Sequence, residues 1–303
     1  MKNTFALLAV LTTIPLVYPC GVHQYDDEKQ FPEDNIVYNP ANPEHRGWSQ
    51  YLTPSLAKTR KLVLTFDDGP HPTNTPKLLD ILKKYNVKAT FFTVGEVLKK
   101  YPKIGKRIVE EGHILAGHDW RHTNSNSESA KQFAEGLTMS VKQVKKHYPN
   151  REMYYRFPYG AYGRHQKYHH FNVMKEVSQK LFSENCINFA FWDMDTSDWV
   201  SNMLPKDIFQ TLKAHFDGGK AYRFKKTTVN GRTKYVKEPF TIKNPIAGGV
   251  VLMHDIHAKT VKGTEMFLEW AQTNNIEIVP INQVKEFEYR NKNCELSSLT
   301  PTF

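Results

Sequence analysis

The chain has 303 residues and carries 41 lysines and arginines against 31 aspartates and glutamates, which gives a net charge of +10. Hydrophobic residues make up 40% of it, too many for a disordered chain, and its 16 glycines and 17 prolines follow no period, which excludes a collagen-like or low-complexity protein. A positive net charge is typical of proteins that bind nucleic acid. The sequence has no recognisable nucleic-acid-binding motif, however, so we predict no nucleic-acid partner. The length suits one large domain or two small ones.

The first twenty residues have the pattern of a secretory signal peptide. Lys2 precedes an apolar run over residues 5–18, which is too short and too interrupted by proline to span a bilayer. A buried first helix is the alternative, and Pro15 would break it. We expect residues 1–20 to be a signal peptide and 21–60 to be an N-terminal extension. The mature protein is then periplasmic or secreted to the cell envelope, with no transmembrane span.

The three cysteines depend on this compartment. Cys20 sits where processing would occur and is a candidate for a lipid anchor, although the residues before it fit such sites poorly. Its removal from the count leaves Cys186 and Cys294, an even number in an oxidising compartment. A disulfide and a pair of buried thiols both remain open.

From residue 61 onward, short apolar strands alternate with helical patterns. Strands are predicted over 61–66, 88–94, 113–116, 153–157, 189–192, 249–253 and 276–281. Helices are predicted from Thr75 and Pro76 onward and over 97–111, 128–147, 171–184 and 261–273. The alternation indicates an α/β fold with parallel strands covered by helices, whose chemistry lies at the carboxyl ends of the strands.

Residues 216–248 interrupt this alternation. They carry a group of basic side chains around Asn230 and Gly231, a strong hairpin signal between alternating residues. We predict a basic β-hairpin inserted into the domain. On charge alone, contact with an anionic polymer and a solvated surface excursion are both open interpretations.

Polar side chains follow the first and third predicted strands. Asp67 and Asp68 follow the first, and because adjacent side chains on extended backbone point to opposite sides, they can take different roles. His118 and His122 follow the third and are four residues apart. Asp68 with the two histidines would form a metal site that leaves coordination positions open for water and substrate. Such a ligand set suits zinc, although iron(II) is bound by the same ligand types.

Three further clusters also fall at or just past predicted strand ends. Each is weak alone: Arg156 could form a rim salt bridge, Asp195 a helix cap, and His254 could be a core histidine. The ordered set resembles the five motifs of the NodB-homology polysaccharide deacetylases, carbohydrate esterase family 4, over roughly residues 60 to 285. The motifs are Thr65–Pro70, His118-x-x-x-His122, Arg156–Gly160, Asp195–Trp199 and Leu252-x-His254.

The resemblance implies a distorted (β/α) barrel of about seven strands, over residues 61–290, with the hairpin as an addition. It implies metal-dependent hydrolysis of N-acetyl groups on a polysaccharide, releasing acetate. Because a basic exported protein is drawn to acidic wall polymers, peptidoglycan is the expected substrate. Chitin, chitooligosaccharides and other exopolysaccharides are alternatives, as is a non-catalytic wall-binding module on the same fold.

The resemblance also implies roles for single residues. The metal, zinc or another divalent transition metal, would be held by Asp68, His118 and His122. Asp67 would be the general base, held by Arg156, and His254 the general acid, held by Asp195. The backbone N–H of Tyr159 would stabilise the oxyanion, and Trp199 and Leu252 would line the acetyl pocket.

One position departs from the family. Asp119 follows His118, where the family usually has serine or threonine. A further carboxylate there is either a hydrogen-bonding partner behind the ligands or a competing ligand.

Overall fold

A computed structural model describes residues 53–149, 153–162, 169–287 and 294–296. The predicted signal peptide, Cys20 and most of the predicted extension lie outside these ranges. Within the described residues, no helix combines the length and apolar character needed to cross a membrane.

A parallel sheet forms the centre of the fold. Its strands are β1 Lys61–Asp67, β2 Thr90–Thr93, β3 Ile114–Gly117, β4 Met153–Tyr155, β5 Ile187–Phe189, β6 Met194–Asp195, β9 Gly249–His254 and β10 Glu277–Ile278. Seven of them follow the order β5-β4-β3-β2-β1-β9-β6, and β10 pairs with the start of β1. In the described residues β5 and β6 do not pair, so the barrel is incomplete. This confirms the distorted barrel of about seven strands.

The helices are α1 Asn74–Lys84, α2 Gly95–Lys100, α3 Pro102–Glu110, α4 Ala130–Lys145, α5 His169–Phe182, α6 Pro205–Asp217 and α7 Ala258–Thr273. The single helix predicted over 97–111 is two helices, because Pro102 has no N–H and keeps the preceding Tyr101 out of helical geometry. Helix α6 is absent from the prediction. Its buried face is interrupted by Thr211 and His215, which weakens its apolar period.

Two other predicted boundaries differ from the structure. The predicted strand over 189–192 is replaced by the short strands β5 and β6, between which the chain turns. Helix α1 begins at Asn74, and the side chain of His71 accepts hydrogen bonds from the first N–H groups at Thr73 and Asn74. Thr75, the predicted N-cap, instead accepts a hydrogen bond from the His71 N–H and donates one to Asp255.

Both faces of the sheet are buried. On β1, Leu62, Leu64 and Phe66 pack toward the helices, whereas Val63 belongs to a separate apolar cluster inside the barrel. Because residues two apart on a strand share a face, Asp67 lies on the inner face with Val63. The sequence of β1 therefore places an acidic side chain at the end of an apolar row.

A disulfide joins Cys186, at the start of β5, to Cys294 near the end of the described chain. Their Cα atoms are 5.5 Å apart and 108 residues separate them in sequence. The structure thus favours the first of the two alternatives left open by the sequence.

The second sheet is the predicted hairpin. It consists of β7 Gly219–Val229 and β8 Arg232–Ile242, each eleven residues long and paired antiparallel throughout. Asn230 and Gly231 form the turn with φ values of 51° and 72°, the positive values that a tight two-residue hairpin turn requires. Its base packs on α6, where Ala221 and Ile242 contact Ala214.

We predict that Cys294→Ser lowers the free energy of unfolding by roughly 2–4 kcal/mol, because the denatured chain regains the entropy that the cross-link removes. Urea denaturation followed by circular dichroism measures the change. A reductant should destabilise the wild type and leave the variant unchanged. Equal stability of the two proteins under oxidising conditions would contradict the prediction.

Candidate active site

Two neighbouring strands end in an acidic and a basic side chain. Asp67 is the last residue of β1 and is in register with His254, the last residue of β9. His254 shares the inner face of the sheet with Val250, as Asp67 does with Val63. A carboxylate and an imidazole are therefore adjacent at the carboxyl edge of the sheet.

A group of three side chains lies at the same edge. Ligand atoms of Asp68, His118 and His122 all lie within 4.8 Å of one another. Asp68 Oδ1 is 3.1 Å from His122 Nε2 and 3.4 Å from His118 Nε2. Asp68 and His122 have φ values of 74° and 60°, so left-handed backbone turns aim their side chains at each other. The structure thus brings together the three residues that the sequence predicted as metal ligands.

The donor set fits a divalent metal ion. His118 Nδ1 is 2.8 Å from the carbonyl oxygen of Arg156; because a carbonyl only accepts, this nitrogen carries a proton, which leaves Nε2, beside Asp68, as the nitrogen that can bind a metal. Asp68 Oδ1 is buried and accepts no hydrogen bond from the described residues. A buried carboxylate oxygen that faces the ring nitrogens of two imidazoles is the arrangement of a metal site.

The ionisation of Asp68 agrees with this arrangement. Burial opposes its charged form, but the facing imidazoles of His118 and His122, together with His254, outweigh burial and hold the pKa of Asp68 well below its usual value. The carboxylate is therefore available as an anionic ligand at neutral pH.

Asp119 supports the loop that carries His122. One of its carboxylate oxygens, Oδ2, accepts hydrogen bonds from the backbone N–H groups of Arg121 and Thr123, at 3.1 and 2.9 Å. A Cβ at Gly136 of α4 would lie 2.6 Å from the other carboxylate oxygen, Oδ1, so only glycine lets α4 pack this closely against Asp119. Asp119 lies outside the three-residue ligand group. Of the two roles left open by the sequence, the structure favours the supporting one.

Arg156 holds Asp67. Its Nη1 donates to Asp67 Oδ1 at 2.8 Å and to Thr65 Oγ1 at 2.7 Å. The other nitrogens donate to the carbonyls of Ala190 and Phe191 at 3.0 and 2.9 Å. Both partners of the ion pair are buried, so the carboxylate is fixed in position and its charge is compensated. The predicted pairing of these two side chains is present.

The partner of His254 is Asp198. Asp198 Oδ1 lies 2.7 Å from His254 Nδ1, and Oδ2 accepts from the His254 backbone N–H at 2.7 Å and from the Thr260 hydroxyl at 2.6 Å. Burial disfavours the imidazolium, but the charge of Asp198, reinforced by Asp68 and Asp67, outweighs it and raises the pKa of His254 to about 10. His254 is therefore protonated at neutral pH.

This corrects the prediction that Asp195 holds the imidazole. Asp195 Oδ1 accepts from the Ser197 N–H at 2.7 Å instead, and burial raises the pKa of Asp195 to about 6. Asp195 is in register with Leu252, two residues before His254 on β9. Asp195 therefore ends short of the imidazole, and the turn that follows brings Asp198 level with it.

Tyr159 lies beside the ligand group. Its backbone has a φ of 59°, and its ring packs edge-on against that of His122 with centroids 4.6 Å apart. The side chain is 67% exposed. The segment that follows β4 thus places Arg156 inside the barrel and Tyr159 at its rim.

The two predicted pocket residues differ in their surroundings. Leu252 is buried on the inner face of β9. Trp199 is half-buried and contacts two hairpin rings, Phe224 and Tyr235, at centroid distances of 5.1 and 5.2 Å. Sequence reasoning missed these aromatic residues. The sequence does contain a signal for them: when strand positions are counted outward from the Asn-Gly turn, Phe224 and Tyr235 fall on the same face of the hairpin.

Comparison with known proteins places the chain in a family. Residues 56–172 match the family described as polysaccharide deacetylase. The chain is 28% identical over 235 residues to the peptidoglycan-N-acetylglucosamine deacetylase PgdA of Listeria monocytogenes, covering 76% of this chain and 40% of that protein. It is 30% identical over 153 residues to a chitooligosaccharide deacetylase of Azorhizobium caulinodans, covering 50% of this chain and 67% of that protein.

A solved structure has the same fold. The peptidoglycan deacetylase PdaC from Bacillus subtilis aligns with a TM-score of 0.54 and 24% identity, over 75% of this chain and 90% of that one. The chain belongs to the polysaccharide deacetylase family, a family of hydrolases, in agreement with its five motifs. It spans only 40% of the length of PgdA.

We predict that Asp119→Ala weakens Zn²⁺ binding roughly 10- to 100-fold, because the loop that carries His122 loses its hydrogen-bond acceptor. Asp119→Ser, which restores the residue type usual in the family, should recover much of the affinity. Competition with a chromogenic chelator measures both constants. Wild-type affinity in Asp119→Ala would contradict the supporting role.

Proposed function

We propose that the chain is an exported, zinc-dependent hydrolase that removes acetyl groups from N-acetylglucosamine residues of peptidoglycan and releases acetate. The observation that carries the proposal is the convergence of Asp68, His118 and His122 beside a paired carboxylate, Asp67, and a paired imidazole, His254. The set contains metal ligands, a base and an acid, which are the groups that amide hydrolysis needs.

Asp68, His118 and His122 would hold the metal. When bound, zinc supplies a Lewis acid that lowers the pKa of water toward ~7 and polarises a carbonyl. We propose zinc over iron(II) because hydrolysis requires no electron transfer.

Asp67 is the proposed general base. Its carboxylate takes a proton from the attacking water, and Arg156 keeps it oriented through the 2.8 Å ion pair. As water attacks the acetyl carbonyl carbon, negative charge develops on the carbonyl oxygen. The backbone N–H of Tyr159, carried beside His122 by its left-handed turn, would donate a hydrogen bond to that oxygen.

His254 is the proposed general acid. Its raised pKa keeps the imidazolium populated at neutral pH. It donates its Nε2 proton to the sugar nitrogen as the carbon–nitrogen bond breaks, so that the amine leaves as a neutral group. Asp198 compensates the positive charge and orients the ring.

Leu252 and Trp199 would line the pocket for the acetyl methyl group. Peptidoglycan is supported by the similarity to PgdA and by the net charge of +10, which attracts the carboxylates of wall peptides. Chitooligosaccharide is the alternative, supported by the Azorhizobium relative.

The remaining proposals concern export and domain organisation. Residues 1–20 would be removed as a signal peptide; in the alternative in which Cys20 carries a lipid anchor, cleavage would fall before it. Residues 21–60 would precede a catalytic domain over 61–290. The Cys186–Cys294 disulfide supports an oxidising compartment outside the cytoplasm.

We predict that the protein releases acetate from peptidoglycan fragments faster than from chitin oligomers, and that a chelator abolishes both activities until zinc is restored. Asp67→Asn and His254→Ala should lose activity by roughly 10²- to 10⁴-fold and keep zinc, because they remove proton transfer. Asp68→Ala should lose both activity and zinc. Product masses and zinc content measure these changes.

A matched control is Asp80→Ala, which removes a carboxylate that is 70% exposed and paired with Arg107. It should keep both activity and zinc. Full activity of Asp68→Ala, or chelator-resistant acetate release, would contradict the metal assignment.

We predict that Asp198→Asn moves the alkaline limb of the kcat/KM profile to lower pH. Asp198 raises the pKa of His254, so its neutralisation lets the imidazolium lose its proton at a lower pH. Asp195→Asn is the matched control and should shift the limb less. A larger shift in that control would return the role of imidazole partner to Asp195.

A further inference from the structure

The hairpin has two chemically different faces. Because paired residues of an antiparallel ladder share a face, the pairs Phe224–Lys237 and Lys226–Tyr235 lie on one side. On the other side Glu238 accepts from both Arg223 and Lys225 at 2.8 Å, so these two basic side chains share one carboxylate.

The first face carries an aromatic cluster. Trp199 contacts Phe224 and Tyr235, whose own ring centroids are 6.0 Å apart. Phe224 and Tyr235 remain 40% and 43% exposed after this packing. Large apolar rings left open to water on an otherwise charged hairpin are typical of a binding surface. We call Trp199, Phe224 and Tyr235 the aromatic platform.

The aromatic platform is fixed relative to the proposed acid. The Phe224 N–H donates to Ser197 Oγ at 3.2 Å, and Ser197 lies one residue before Asp198, the partner of His254. On the other strand, Lys237 is anchored through its N–H to Asn202 and through its ammonium group to Asp207, at 3.0 and 2.6 Å. The segment that orients His254 thus also carries the hairpin.

Lys226 supplies a charge beside the rings. It is exposed and directly opposite Tyr235. Among the described residues it forms no ion pair, in contrast to Lys225 and Lys237. Its ammonium group is therefore available to a ligand that lies on the aromatic platform.

We propose that the aromatic platform and Lys226 bind a second sugar of the same glycan chain, next to the one that is deacetylated, and favour a sugar that carries a carboxylate. The apolar face of a pyranose ring would stack on the rings while the ammonium group pairs with the acidic substituent. The inference rests on the proposed function, because it takes the substrate to be a glycan.

The test compares neutral chitin oligomers, acidic peptidoglycan oligomers and a single acetylated glucosamine. Phe224→Ala with Tyr235→Ala should raise KM for both oligomers about tenfold, the equivalent of about 1.4 kcal/mol. kcat and the rate on the monosaccharide should stay unchanged. Tyr235→Phe keeps the ring and should behave as the wild type, which separates stacking from a folding defect.

The charge is tested by Lys226→Gln against Lys234→Gln, an exposed lysine on the opposite face. Only Lys226→Gln should raise KM for the acidic oligomer, and neither variant should change KM for chitin oligomers. Equal effects of the two would indicate nonspecific attraction and overturn the role of Lys226. Unchanged KM in the aromatic variants would overturn the platform, whereas a wild type inactive on all three substrates would overturn the proposed function itself.

Discussion

The buried guanidinium of Arg156 is the group on which the rest of the site depends. It compensates the charge of Asp67 and donates to the carbonyls of Ala190 and Phe191. Its own backbone carbonyl fixes the proton on His118 Nδ1. One residue therefore sets the charge balance of a carboxylate and the tautomer of an imidazole. Removal of one partner from a buried ion pair typically costs roughly 3–5 kcal/mol, because the other charge is left uncompensated.

The same interaction depends on the curvature of the sheet. Arg156 directly follows β4, which is separated from β1 by two strands in the sheet order. In a flat sheet these strands would be about 14 Å apart, given spacings of about 4.8 Å, farther than an arginine side chain reaches. The 2.8 Å contact between Arg156 and Asp67 exists because the sheet curls and its inner face encloses both. The guanidinium therefore bridges the barrel interior, and the site requires the barrel.

The sequence predicted the features that depend on local patterns, namely apolar strands, turn residues and short motifs. Apolar runs located β1 and β9, and the Asn-Gly pair located the hairpin turn. The sequence motifs named the three proposed metal ligands and both members of the Asp67–Arg156 pair. The sequence named Asp195 as the partner of His254 where the structure has Asp198, because the partner depends on how far β6 extends before the chain turns.

Other features lay beyond local patterns for similar reasons. Helix α6 carries Thr211 and His215 on its buried side, so the apolar periodicity in its sequence is weak although the helix is packed against the core. The contact between Trp199 and the hairpin joins segments that no periodicity relates. The disulfide is a pairing in space that a count of cysteines leaves undetermined.

The position of the hairpin in the chain separates recognition from chemistry. The hairpin lies between α6 and β9 in the sequence. It adds no strand to the parallel sheet, in which β6 and β9 pair directly. Its contacts with the site run through Ser197 and Trp199, on either side of Asp198. Changes on its exposed face can therefore alter what the surface binds, while the register of β1 with β9 continues to hold Asp67 beside His254.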